Sequence, residues 1–305
     1  MKLTIAMVLI LLSAIIYITV HHKGQRNASQ PTPSSKATKP NISATTTPKT
    51  GAINKLLNEH KKQTIKFYRQ EQKNPLGKSI SYLGGRPTLP KGIKWPESQH
   101  FVAQISLTDL PENNMLPQKG ILFFFIDLHE NGYEYQNRHT ATTVIYSEEL
   151  PLELSETTIP LKLKDRMQTG QDREGSQQVF TKWPVIFCLS ESYNTETLPK
   201  AIIDKAFKDG VWDSYFNTVD EKLHTIPTEM KGKIVSGVRK GHQIMGYSPP
   251  RVNPIQKGKD DILLLSLFSD NGISFMFGDA GYLQFYINKD DLVARKFYKA
   301  WGQVD

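Results

Sequence analysis

The sequence predicts an α+β fold: a largely antiparallel sheet built on an internal duplication of two β-hairpin units, with flanking helices, preceded by an N-terminal transmembrane helix. Three observations predict it. β-Branched and aromatic runs recur between glycine turns. Two blocks of the chain align with one another at a shift of 161 positions. An uncharged apolar run opens the chain.

That run, "LTIAMVLILLSAIIYITV" from Leu3 to Val20, has 18 residues and no charge. As a helix it would span roughly 27 Å, close to a hydrocarbon core of ~30 Å. No small-x-small cleavage pattern follows, and His21, His22 and Lys23 come at once, which points to an uncleaved anchor. Residues 21–51 are rich in Ser, Thr, Pro, Asn and Lys. Such a stretch cannot bury enough apolar surface to order itself, so it reads as a disordered linker. The expected organisation is an anchor over 3–20, a linker over 21–51 and one folded domain over 52–305. A single-pass inner-membrane protein with an extracytoplasmic domain is the corresponding location.

The net charge of +8 over 305 residues comes from 38 basic and 30 acidic side chains. Six of the basic ones and none of the acidic ones lie in residues 1–50, leaving 32 against 30 beyond them. The folded part therefore has no compositional case for nucleic acid. Cys188 is the only cysteine, so an internal disulfide and a cysteine-cluster metal site are excluded. Its setting, "VIFCLS", suits a buried structural thiol.

"AINKLLNEHKKQTIKFYRQ" places Ile53, Leu56, Leu57, His60, Ile65 and Tyr68 at helical spacing, and an amphipathic helix is expected there. Strands are expected over "FVAQISL" (101–107), "GILFFFIDL" (120–128), "ATTVIYS" (141–147) and "VFTKWPVIFCLS" (179–190). Helices return with "LPKAIIDKAFKDG" and "VWDSYFNTVDEKL", which align Ile202, Ala206, Trp212, Phe216 and Val219 on apolar faces. A last strand block runs from Ile262 to Ile287, and a helix "LVARKFYKAW" begins at Asp290 or Asp291.

At the shift of 161, Gly85 falls on Gly246, Asp109 on Asp270, Gly120 on Gly281, Leu122 on Leu283, Phe124 on Phe285 and Ile126 on Ile287. Each unit would be a glycine turn, a buried strand, a second glycine turn and an alternating strand. Gly281 thus answers a backbone need shared with Gly120, whereas Asp279 of "GDAG" falls on Gln118 and has no acidic counterpart.

"YLGGRPTLPKGIKWP" (82–96), "FVAQISLTDLP" (101–111), "LPQKGILFFF" (116–125), "HQIMGY" (242–247), "LLLSLFSD" (263–270) and "FGDAGYLQFYI" (277–287) occur in this order. Together they resemble the YwqG-like family of bacterial proteins, over roughly residues 53–301. The resemblance implies an α+β domain with extensive antiparallel sheet and no established enzymatic activity. The chain departs from the family at Ser266 and Phe268, where a glutamine and an aspartate are usual, and at Phe277, where tryptophan is usual; Gln104 is retained.

HExxH, GxxxxGK[ST], GxSxG and EF-hand patterns are all missing, and the eight histidines show no ligand spacing. No catalytic residue, metal or cofactor is expected. The candidates for binding are Gln104, His242, Asp270, Asp279 and Arg86. His242 adjoins a glycine turn, Asp270 and Asp279 lie on neighbouring turns, and Arg86 sits beside backbone amides in "GGRP". Each also has a plain structural role as a turn or core residue. The leading functional expectation is a membrane-tethered, non-enzymatic module that binds a protein partner, as an immunity or toxin-neutralising factor. The alternative is a small-ligand or hydrolytic site at the junction of the two repeats, uniting at least three of Gln104, His242, Asp270 and Asp279.

Overall fold

The computed structural model describes residues 48–71, 80–128, 134–148, 155–163, 179–194, 198–238, 240–249 and 257–304. The expected anchor over 3–20 and nearly all of the linker lie outside them. Among the described residues no helix is long and apolar enough to cross a membrane. The single-pass inner-membrane assignment is corrected on that finding.

Ten strands are described: β1 (Lys61–Arg69), β2 (Tyr82–Leu83), β3 (His100–Ser106), β4 (Ile121–Ile126), β5 (Thr142–Ser147), β6 (Trp183–Tyr193), β7 (His242–Ile244), β8 (Asp261–Phe268), β9 (Tyr282–Asn288) and β10 (Trp301–Val304). They form one sheet in the order β10-β9-β8-β7-β1-β6-β2-β3-β4-β5. Every neighbouring pair is antiparallel. The two ends approach each other: the Gly302 amide donates to Thr142 Oγ1 at 2.9 Å. The sheet is a nearly closed barrel, which protects the edges that an open sheet would expose. The expected architecture of two hairpin units with flanking helices is therefore corrected to one continuous sheet with few helices.

The same pairing pattern occurs in both halves. Tyr82 and Leu83 pair with Gln104 and Ala103, as Gln243 and Ile244 pair with Ser266 and Leu265. Ala103 opposes Phe124 just past a bulge, and Leu265 opposes Phe285 just past another. The matching offset is 161 for β2 with β7 and for β4 with β9, but 162 for β3 with β8. One residue is gained before β8 and one lost after it, which an ungapped comparison absorbs unseen. Phe124 and Phe285, which are equivalent, meet edge to face across the interior with centroids 5.1 Å apart.

Alternation along β4 sends Leu122, Phe124 and Ile126 into the barrel core, beside Ile65, Phe67, Leu265 and Phe285. Its other face, Ile121, Phe123 and Phe125, packs under Trp95, Ile159 and Leu163 in a second apolar cluster. Trp95 is held there by donating Nε1 to the Gln99 carbonyl at 2.7 Å.

Helix α1 (Pro48–Glu59) starts inside the stretch read as linker and stops where the sequence reading ran on. "KKQTIKFYR" is strand β1 because its β-branched and aromatic residues are wanted between β6 and β7, where both faces are covered. Helices α2 (Lys200–Lys208) and α3 (Trp212–His224) fall where periodicity places them. With α1 they bury Leu57, Leu198, Tyr215 and Val219 against Tyr193 of β6. The expected last helix is a five-residue α4 (Lys289–Val293), N-capped by Asn288, followed by a short 3₁₀ turn and β10.

Candidate functional site

Arg69 ends β1, His242 opens β7 and Asp270 lies just beyond β8, so the sheet order brings three distant polar residues together. Arg69 Nε donates to Asp270 Oδ2 at 2.8 Å, and both side chains are nine-tenths buried or more. The second carboxylate oxygen accepts the Gly272 amide at 2.9 Å. The guanidinium packs on the Trp183 ring, 4.9 Å from its centroid, and lies against Gly272, where any Cβ would collide with it. Trp183 in turn donates Nε1 to the Gly272 carbonyl at 2.7 Å. Charge, stacking and a missing side chain thus fix one arginine in one orientation.

His242 sits between Phe67 and Phe268, with ring centroids 5.2 and 4.5 Å away. Its Nδ1 accepts the Phe268 amide at 3.3 Å, so the neutral ring carries its proton on Nε2. That nitrogen is buried without a hydrogen-bond partner and lies 4.0 Å from Asp270 Oδ2. Burial depresses the imidazole to about 3, and Arg69 pushes the same way against the opposing pull of Asp270. At neutral pH the ring is an uncharged, inward-facing donor, unsuited to acid–base work there.

Asp270 and Arg69 line a cleft of about 560 Å³, together with His224, Lys240, Ser269 and Asn271. Lys240 lies near the Tyr282 hydroxyl at 3.4 Å. His224 is held at α3 through Nδ1 to the Asp220 carbonyl, 2.7 Å away.

The other expected site residues go elsewhere, so the junction site is corrected. Gln104 is fully buried on the far half: Oε1 accepts from Tyr82 Oη, Thr88 N and Thr88 Oγ1, and Nε2 donates to the Ile80 carbonyl. It anchors the 80–88 turn through these four hydrogen bonds. Arg86 and Asp279 are exposed turn residues. In "GDAG" the left-handed backbone belongs to Gly278 (φ 54°) and Ala280 (φ 56°), whereas Gly120 (φ 100°) has that conformation in the first half. Of the four proposed side chains only His242 and Asp270 meet. Arg69 escaped the sequence reading because its segment read as helix; a lone arginine closing the apolar "IKFYR" was the available signal.

Cys188 is buried, and burial raises its thiol to about 11, an inert state. Among the described residues no group of three or more His, Cys, Asp or Glu side chains could hold a metal ion.

A different surface is apolar. Phe207 of α2 is 58 % exposed and stacks on Trp212 of α3 at 5.3 Å. Phe216 follows one turn later on the same helix. Leu56, Ile202, Ala206 and Val211 line a groove of about 410 Å³ between α1 and α2, with Lys55, Glu59, Lys205 and Asp209 around it.

A family described as a domain of unknown function (DUF1963) matches residues 81–305. The chain belongs to the DUF1963 family. No curated protein matches the chain. The DUF1963 match begins at Ser81, so β1 and Arg69 precede it, while β2 to β10 lie inside it.

Proposed function

We propose that this DUF1963 chain, a YwqG-like member, is a non-enzymatic module that binds a protein partner. The observation carrying the reading is the exposed Phe207–Trp212 stack, on the same helical layer that holds the α1–α2 groove. Exposed, stacked aromatic side chains have the composition of interface hot spots. The polar groups with reactive chemistry support it from the other side: Gln104, His242 and Asp270 are engaged within the fold. An immunity or toxin-neutralising role is the specific form of this reading, with the aromatic face covering the partner's working surface.

Photo-crosslinking in the native cell tests it, with the crosslinker at position 207 or 216 of the full chain and at exposed Lys91 as control. One protein should be captured from both 207 and 216 and not from 91. Adducts that are diffuse, or the same at all three positions, would overturn the reading.

A further inference from the structure

We propose that the Arg69–Lys240 cleft is a binding site for a carboxylate group. It lies outside the aromatic face and stands independently of the partner-binding reading.

A guanidinium has five N–H donors and stays charged in a protein. Arg69 uses one of them, Nε, on Asp270. Among the described residues its Nη1 and Nη2 have no hydrogen bond, although the side chain is only 10 % exposed and lines the cleft. The fork therefore keeps donors on the cleft wall, where an ionised acceptor would form charge-assisted hydrogen bonds. The Trp183 ring and Gly272 keep the fork from swinging to another partner. An arginine held this way meets a ligand with its ordering cost already met, which favours binding.

Charge selects the ligand. Arg69 and Asp270 cancel, so Lys240 leaves the cleft with a net positive charge, and His224 at the rim adds to it when protonated. Asp220, beside His224 at 3.6 Å, offsets that contribution. The Nη edge of arginine is planar and matches a planar, two-oxygen acceptor, which a carboxylate supplies. Asn271 and Ser269 add neutral polar groups for the remainder of the molecule. The volume of about 560 Å³ falls within the size range of small-molecule pockets, so the carboxylate can belong to a compact organic acid or to an acidic side chain.

In the first half the position matching His242 is Ser81, whose hydroxyl donates to Asp109 at 2.6 Å.

The full chain is titrated with glutarate, with a capped glutamyl dipeptide and with inorganic phosphate at constant ionic strength, reading backbone amide NMR shifts. Glutarate or the dipeptide should give saturable shifts confined to Lys240 and residues 269–272, with phosphate weaker. Preference for glutarate identifies a free acid and preference for the dipeptide a protein-borne carboxylate; either supports the site. Lys240→Gln should weaken binding about tenfold, the effect expected of one charged hydrogen-bond donor. Arg69→Lys should weaken carboxylate binding by removing the two-pronged fork. Linear or scattered shifts with both carboxylates, or unchanged affinity in Lys240→Gln, would overturn the proposal even if Arg69→Lys fails to fold.

Discussion

Ser81 and His242 hold matching places in the two halves of the barrel and make the same pair of connections with different groups. Ser81 Oγ accepts the Ser106 amide at 2.9 Å and donates to Asp109 at 2.6 Å. His242 Nδ1 accepts the Phe268 amide and presents Nε2 to Asp270 across 4.0 Å. The serine linkage is small and closed, and its acid is exposed. The histidine linkage is open, enclosed by phenylalanine rings, and its acid is buried on an arginine. One backbone pattern therefore supports an inert tie in one half and a charged, partly unsatisfied assembly in the other. Function follows the side chains placed on a repeated frame rather than the frame itself.

Removing the two acids is the most forceful way to break this comparison. Asp270→Ala leaves Arg69 charged and buried, and should cost about 3–5 kcal/mol. Asp109→Ala loses one exposed hydrogen bond, worth about 1 kcal/mol. Denaturant midpoints at unchanged m-value would measure both, and equal losses would mean that the halves are energetically alike.

Acid should come next. The unfolded chain protonates this imidazole near 6.5, whereas the folded chain holds it near 3, so between those values the unfolded state binds the extra proton. Stability contributed above pH 6.5 is then lost as pH falls toward 3. At pH 5 the loss from this one group should be about 2 kcal/mol. His242→Asn should flatten that part of the stability–pH curve, and a variant with the parental slope would show that the ring is not the titrating group. Smallest of all, Arg86→Ala and Asp279→Ala should each stay within about 0.5 kcal/mol of the parent in thermal unfolding, because both are exposed turn residues.

How much of this was legible depends on how local each signal is. β3 to β5, most of β6 and helices α2 and α3 announce themselves within a short window, through "ILFFFI" or the spacing of Ala206, Trp212 and Val219. β1 does not, because a strand covered on both faces loses its alternation, and Ile65 and Tyr68 then mimic a helix face. Lys66 strengthens the disguise. It is buried, its ammonium reaches the Lys222 carbonyl at 2.9 Å, and burial lowers its pKa. β10 is four residues long and leaves too little pattern to read. His242 and Asp270 stood out as polar residues beside turns, but their partner Arg69 lies 201 residues from Asp270. Only the sheet order joins them.

β1 is the keystone of the sheet, with β6 on one side and β7 on the other. A polypeptide trimmed to begin at Ser81 would keep the whole DUF1963 stretch yet split the barrel into two five- and four-strand pieces with raw flanks. It would also leave the mostly buried Asp270 carboxylate without its ion-pair partner Arg69. The smallest autonomous folding unit must therefore reach back at least to Lys61, about twenty residues ahead of where family similarity begins.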